Sequence, residues 1–308
     1  MTGPPTRCPL WTATAGDGPG DIVLVHGALD RSAGMLKLSR RLDTHWRVTR
    51  YDRRGYGRST PSDGPFTLDT QIADLVSVIA ALRGLDTPAA PALDHRGHRS
   101  SGVAPDRGGH RSSSGVPAAQ PPPRCIETTR ATDGVVLFGH SFGGNVALGV
   151  ADRHPELVRA VVIYESPLSW MDWWPSDSAG GAAARVGGDD AGAAAEAFMR
   201  RLIGDRRWDR LPNSTRAARR AEGPAMLGEL ADLRRAAPWR PERIGVPVLT
   251  MFGEHGRPHH RRAMEWVAGV VPDGRSQMVP GAHHFGPSTH AGVVAELITG
   301  FLASSPAG

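Results

Sequence analysis

Apolar runs alternate with stretches of helical spacing along most of the chain. The runs are predicted to form strands at 22–25, 46–51, 135–138, 160–164, 246–252 and 276–279. Helices are predicted between them, at 33–42, 68–82, 145–153, 259–270 and 291–302. Strands that alternate with helices are typical of a mostly parallel sheet with helices on both faces. The pattern therefore predicts an α/β fold, and 308 residues fit one domain with insertions.

The first interruption of this rhythm spans residues 87–133, which are rich in Pro, Gly, Ser and Arg. Within it, residues 94–130 hold six arginines against three acidic residues. Such a composition buries too little apolar surface to offset its ordering entropy. We predict a disordered surface insertion. A solvent-exposed segment without a binding partner is favoured over a loop that binds acidic surfaces.

The second interruption, 167–240, has helical patches but no clear strand, and it begins with an aromatic cluster. It follows the predicted strand 160–164, so it would lie above the carboxyl ends of the sheet, where an active site opens. We predict a helical cap. The tryptophans at positions 170, 173 and 174 either line an apolar acyl pocket or pack the cap onto the core, and the sequence leaves both open.

Composition narrows the function classes. The formal charge is +5, yet Lys37 is the only lysine, and this skew to arginine is typical of coding bias. Without a nucleic-acid motif, the charge predicts a solvated basic surface and no nucleic-acid partner. Neither an apolar leader nor a run of eighteen apolar residues is present, so we expect a soluble, cytoplasmic protein with no membrane partner. Cys8 and Cys125 lie in predicted loop regions, which argues against a disulfide framework.

The motif with the clearest chemistry is Gly139-His140-Ser141-Phe142-Gly143. It follows the predicted strand 135–138 and precedes a helical stretch, the setting of the sharp turn called a nucleophile elbow. The flanking glycines fit that turn because it leaves no room for side chains. Ser141 is therefore the predicted nucleophile. The backbone N–H of Phe142 would face a developing oxyanion.

A serine hydroxyl needs a base, and thirteen histidines are available. The segment Pro280-Gly281-Ala282-His283-His284-Phe285 follows a short strand and precedes the last helix. Here the chain resembles the α/β-hydrolase superfamily, in which a Pro-Gly-x-x-His-Phe loop carries the base. The resemblance selects His284 over His283.

Two further motifs extend the resemblance over most of the chain. Residues 23–27 (Val-Leu-Val-His-Gly) are similar to the family's strand and oxyanion loop, and residues 51–59 to its Asp-x-Arg-Gly-x-Gly-x-Ser signature. The resemblance implies that the N–H of Ala28 joins that of Phe142 in an oxyanion hole. It also implies that His26 holds the loop by hydrogen bonding.

The acidic member of a triad departs from the family's pattern. After the strand at 246–252 the family reads Gly-x-x-Asp, whereas this chain has Gly253-Glu254-His255-Gly256. Glu165, at the end of the preceding strand, is the favoured replacement, and Glu254 is the second choice. A pair of Ser141 and His284 without a carboxylate is also open.

The histidines at 255, 259 and 260 are dense enough to consider a metal. Gly256 and Pro258 interrupt the helix that would align His255 with His259, so we predict neither a metal nor a cofactor.

The expected function is that of a serine hydrolase that forms an acyl-enzyme with a small-molecule acyl substrate, a carboxylic ester above all. A ligand-binding or sensor protein of low turnover is the alternative, favoured by Gly256. An interaction protein that binds polyanions through 87–133 is a third reading. The sequence leaves the oligomeric state open.

Overall fold

The fold is organised by a twisted sheet that runs through the described residues, which are 10–85, 134–186 and 189–304 of a computed structural model. The sheet has seven strands in the order β1-β3-β2-β4-β5-β6-β7. They are β1 (Thr12–Ala15), β2 (Asp21–Val25), β3 (Arg47–Tyr51), β4 (Val135–His140), β5 (Val158–Tyr164), β6 (Val248–Gly253) and β7 (Gly274–Val279). Only the pairing of β1 with β3 is antiparallel. The predicted α/β fold class is confirmed.

Helices cover both faces of the sheet. They are α1 (Leu36–Leu42), α2 (Leu68–Arg83), α3 (Phe142–Arg153), α4 (Ala179–Val186), α5 (Ala191–Ile203), α6 (Asp205–Asp209), α7 (Asn213–Ala221), α8 (Gly223–Arg235), α9 (Pro258–Val270), α10 (Gly286–Thr289) and α11 (Ala291–Ser304). Buried apolar residues form two hydrophobic cores, and alternate residues of β2 belong to different ones. Val23 packs with α2 and α3, and Leu24 packs with α1 and α11. Because both faces are buried, the central strands β2, β4, β5 and β6 read as largely apolar runs, whereas β7 is mostly exposed.

The edge strand β1 was not predicted from the sequence. Its residues, Thr-Ala-Thr-Ala, are small and half-exposed or exposed, so no apolar run marks them. The strand is held by its ladder to β3 and by a hydrogen bond of 2.9 Å between the hydroxyls of Thr14 and Thr49. Edge pairing of this kind leaves little trace in composition.

Residues 167–240, which we call the cap segment, contain α4 to α8 in their described part. Helix α8 is fastened to the core by a buried ion pair between Glu229 and Arg53, the residue that follows β3 by two positions. The predicted insertion 87–133, together with both cysteines, lies outside the described residues. In the part of the chain that the structure describes, none of the helices combines the length and the apolar character needed to cross a membrane.

Candidate active site

The turn between β4 and α3 places Ser141 at the carboxyl edge of the sheet in a strained conformation of positive φ, with φ 53° and ψ −126°. A Cβ on Gly139 would overlap backbone atoms of Gly143 and Gly144, and one on Gly143 would overlap the backbone carbonyls of Val25 and His26. A Cβ on Gly27 would come within 2.9 Å of the Cβ of Ser141. These glycines therefore allow the sharp turn and the close approach of the β2 loop to the serine.

Backbone strain is concentrated at this edge. In the described ranges, the residues other than glycine with positive φ are Leu29, Ser141 and Glu165, which follow β2, β4 and β5. These three strands are neighbours in the sheet. A side chain held in such a conformation costs on the order of 1–3 kcal/mol, and strained residues of this kind cluster at functional sites.

Glu165 lies at the centre of a buried hydrogen-bond network. Its Oε2 accepts a bond of 2.7 Å from Nδ1 of His284 and one of 2.9 Å from Nδ1 of His260. Its Oε1 accepts a bond of 2.9 Å from the N–H of Gly253. Burial alone would raise the pKa of the Glu165 carboxyl, but the bonds from the two histidines hold this pKa well below its usual range. The carboxylate is therefore ionised at neutral pH.

Gly256 explains how the carboxylate fits. A Cβ at this position would overlap Oε1 of Glu165, so the family's usual acid position is occupied by a side chain that arrives from β5. The other candidate, Glu254, is exposed and accepts a hydrogen bond of 2.8 Å from the N–H of Gly281. Of the two carboxylates that the sequence left open, the structure brings Glu165 to His284.

His284 has the surroundings of a neutral base. Burial lowers the pKa of its imidazole below the usual value, and the hydrogen bond from its Nδ1 to Glu165 only partly offsets this. The backbone carbonyl of His284 accepts a bond of 2.8 Å from Nε2 of His140. Burial lowers the pKa of His140 to about 4, so its ring is neutral as well. The adjacent His283 is turned away and bonds the carbonyl of His255 at 2.8 Å.

The two predicted oxyanion residues, Ala28 and Phe142, line the same cavity as Ser141 and His284. Phe142 is the first residue of α3, so its N–H has no acceptor within the helix. His26 fixes the loop before Ala28: its Nδ1 donates to the carbonyl of Gly27 at 2.8 Å, and its Nε2 accepts the N–H of Arg53 at 2.9 Å. Both ring nitrogens are thus engaged with backbone.

The cavity has a volume of about 760 Å³ and is lined on its cap side by Phe198, Leu202 and Leu230. Trp174 lines the cavity, which is the first of the two alternatives for the tryptophans. Trp170 packs edge-on against Trp239 of the same segment, with ring centroids 5.8 Å apart, and Trp239 donates a hydrogen bond of 3.0 Å to Oδ1 of Asn145 in α3. An apolar acyl chain therefore has a complementary surface beside Ser141.

One group in the described residues has the composition of a metal site. Glu165, His260 and His284 each offer a ligand atom, and these atoms lie within 4.8 Å of one another. The same atoms make the hydrogen bonds of the network, and a metal bound to them would displace the Nδ1 protons. The set therefore fits a proton-handling network better than a resident metal.

Two histidines of this site were not predicted to belong to it. His260 was considered only for the density of its neighbours, and His140 only as a residue within the elbow. The bond of His260 to Glu165 joins residues 95 positions apart, and that of His140 to His284 joins residues 144 apart. A signal for His260 was present in the sequence: the loop after β6 lacks the expected acid, and a histidine follows within a few residues.

The sequence of residues 22–297 matches a family described as the alpha/beta hydrolase family. The chain belongs to this family. A pimeloyl-[acyl-carrier protein] methyl ester esterase from Aromatoleum aromaticum is 33% identical over 162 residues, which are 46% of this chain and 64% of that esterase. The match thus spans less than two thirds of the curated relative. Family membership and this relative support hydrolase activity.

Solved structures give the same fold. The enol-lactonase from Burkholderia xenovorans aligns with a TM-score of 0.62 at 20% identity, covering 96% of each chain. A thermophilic esterase from Thermogutta terrifontis aligns with a TM-score of 0.65 at 19% identity, covering 96% of this chain and 93% of that one. At these identities the likeness concerns the fold alone.

Proposed function

We propose that the protein is a serine hydrolase that cleaves carboxylic esters through an acyl-enzyme. The observation that carries the proposal is the 2.7 Å bond between His284 and Glu165, made beside the same cavity that the strained Ser141 lines. An ionised carboxylate accepts only, so Nδ1 of His284 carries the proton and Nε2 has a free lone pair. That nitrogen is the one a serine hydroxyl requires.

In the proposed reaction Nε2 of His284 takes the proton of Ser141 as Oγ attacks the ester carbonyl. The N–H groups of Ala28 and Phe142 bind the oxyanion. His284 then gives the proton to the departing alcohol, which leaves the acyl group on Ser141. Water, deprotonated by His284, attacks this ester, and the carboxylic acid leaves as Ser141 regains its proton. Glu165 stays ionised throughout and stabilises the imidazolium.

The cavity supports an acyl group of small or medium size, since its cap side is apolar and its volume is about 760 Å³. The name of the related methyl ester esterase agrees with an ester as the substrate class. The reaction draws on the side chains above and needs no cofactor. Gly256, which favoured a ligand-binding protein of low turnover, makes room for Glu165 and so no longer favours that alternative.

A fluorophosphonate probe tests the proposal. Folded wild-type protein should be labelled on Ser141, as peptide mass spectrometry can show, and should hydrolyse 4-nitrophenyl butyrate. Ser141→Ala should lose both properties while it keeps its thermal unfolding midpoint. Treatment with EDTA should leave the rate unchanged. Folded wild-type protein that is neither labelled nor active on esters of two to eight acyl carbons would contradict the proposal.

A further inference from the structure

The feature that the proposed reaction does not use is His260, in the first turn of α9. Its Nδ1 lies 2.9 Å from Oε2 of Glu165, the same oxygen that Nδ1 of His284 contacts at 2.7 Å. The two imidazoles are stacked, with centroids 4.8 Å apart and planes inclined by 24°. His260 is buried, and only 8% of its surface is exposed.

Building on the proposed function, we infer that His260 is a positioning residue for the catalytic base: it holds the Glu165 carboxylate, and through it the ring of His284, in the orientation that Ser141 requires. The site is then a chain of four side chains, Ser141–His284–Glu165–His260. In this chain His260 acts through Glu165 and does not touch the substrate's reacting atoms.

The first support is the protonation pattern that the shared oxygen imposes. An ionised carboxylate cannot donate, so both Nδ1 atoms must carry protons. The pair of bonds therefore fixes the tautomer of each ring, and it leaves Nε2 of His284 unprotonated. The N–H of Gly253 holds Oε1, and His260 gives Oε2 a second donor, so this oxygen is also fixed by a side chain other than the base that it orients.

The second support is that His260 is itself held on every side. Its ring packs against Trp174 at 5.5 Å and against His259 at 4.5 Å between centroids. The titratable groups that face it are Glu165 after β5, His284 after β7 and His259 on its own helix. A donor fixed in this way is pre-organised, so little conformational entropy is lost when the base is positioned.

The third support is electrostatic. The proximity of His260 lowers the pKa of His284, after the larger lowering by burial. Replacement of the imidazole at 260 by an aliphatic side chain should therefore shift the acid limb of kcat/KM to higher pH. A residue that only filled space would not shift this limb when it is replaced by another of similar volume.

Two substitutions separate the donor from its volume. His260→Leu retains much of the bulk and removes the donor, whereas His260→Asn keeps an N–H donor at the position of Nδ1. We expect His260→Leu to lower kcat by about ten- to a hundredfold, the usual cost of losing a group that orients a reacting ligand, with KM within about twofold. His260→Asn should recover most of kcat. Arg261→Leu, at the exposed next residue of α9, serves as the control and should match wild type.

A second measurement examines coupling. If His260 acts through Glu165, then adding His260→Leu to Glu165→Gln should lower kcat by a further factor of about three or less. The reason is that each substitution already disrupts the same hydrogen-bond network. Full multiplication of the two losses would overturn the inference. So would equal kcat for the Leu and Asn variants with an acid limb at the wild-type position.

Failure of the inference differs from failure of the proposed function. If wild type is neither labelled at Ser141 nor active, the proposed function fails. If wild type is active and folded His260→Leu matches it in kcat and in pH profile, only the positioning role fails. Circular dichroism shows whether His260→Leu folds. If it does not fold, His260→Asn is the test. A kcat of His260→Asn as low as that of Glu165→Gln contradicts the inference, and a kcat near that of wild type supports it.

Discussion

Glu165 and Glu229 are the two glutamates without exposed surface in the described ranges, and their partners differ. Glu229, on α8 of the cap segment, is held by the guanidinium of Arg53, by the hydroxyl of Tyr56 at 2.7 Å and by the amide of Gln71 at 2.8 Å. Glu165 is held by two imidazoles and one backbone N–H. Both carboxylates have enough donors to offset their desolvation.

The difference lies in what the partners can do with a proton. Burial opposes the charge of Arg53, yet Glu229 raises the pKa of this guanidinium above its usual value, so Arg53 keeps its charge near neutral pH. Burial raises the pKa of the Glu229 carboxyl, and the bonds from Arg53 and Tyr56 oppose this rise. An imidazole exchanges its proton near neutral pH. The Glu229 cluster therefore holds the cap segment on the core, and the Glu165 cluster is suited to catalysis. Burial of a charge alone does not tell the two apart.

Glu165→Gln should have the largest effect. The amide keeps the shape but can present an N–H to His284, which would reverse its tautomer, and the analogous change in serine proteases costs about ten-thousandfold in kcat. We expect kcat to fall by about a thousand- to ten-thousandfold. Burst and steady-state kinetics with 4-nitrophenyl butyrate measure this. A loss below tenfold in folded protein would remove Glu165 from the mechanism.

Glu229→Gln should act on stability instead. Loss of one partner leaves Arg53 buried without its counter-charge, which costs about 3–5 kcal/mol in the free energy of unfolding. Urea unfolding measures this, and the protein that remains folded should keep its kcat. The double variant Arg53→Met with Glu229→Gln should recover part of the loss. A large drop in the kcat of fully folded Glu229→Gln would contradict the assignment of a purely structural role to the Glu229 cluster.

Gly256→Ala sharpens the comparison at the level of packing. The added methyl overlaps Oε1 of Glu165, so the carboxylate must shift away from its position beside His284. A displacement near 1 Å can cost about a hundredfold in rate, and we expect kcat to fall by about ten- to a hundredfold. Gly245→Ala, where nothing lies within 4 Å of an added Cβ, is the matched control and should retain wild-type kcat.

The pH profile offers a further test. kcat/KM should rise with pH as His284 loses its proton, and because burial lowers the pKa of His284, the midpoint of this limb should lie below 6.5. In Glu165→Gln the midpoint should fall further, since the interaction that raises the pKa is lost. His140, with its pKa lowered to about 4, stays neutral over this limb. A wild-type midpoint at 7 or above would contradict the assignment.

The smallest effect concerns substrate charge. Within the described residues, the charged groups that line the cavity, histidines apart, are Arg201, Arg207 and Arg257. Arg207 and Arg257 are exposed, and an exposed cation contributes about 1 kcal/mol or less to binding an anion. The 4-nitrophenyl monoester of glutaric acid should therefore have a several-fold lower KM than 4-nitrophenyl valerate at low salt. The preference should shrink at high ionic strength and in Arg257→Gln.

Local motifs made part of this site predictable. The elbow at Ser141 and the loop of His284 are each contained in a few consecutive residues. The central strands β2, β4, β5 and β6 could be predicted because burial on both faces leaves largely apolar runs. The edge strand β1 lacks such a run. The choice between Glu165 and Glu254 depends on where β5 and the loop after β6 lie relative to His284, and no local pattern contains that information.

The cap segment was harder to predict for the same reason. Its helical character follows from composition, but which side chains face the cavity depends on how α5 and α8 pack. Trp170 and Trp174 are four residues apart and have different surroundings, one against Trp239 and the other at the cavity. Identical residue types in one short cluster therefore gave no basis for separating them.

The contact between Glu165 and Gly256 also bears on how such sites diverge. A carboxylate that reaches the base from either of two neighbouring strands lets a lineage exchange its acid without an inactive intermediate, provided that one acid is gained before the other is lost. The overlap at Gly256 then favours loss of the older side chain. Positions 165 and 256 should consequently covary among relatives, with glycine or another small residue at one accompanying an acid at the other.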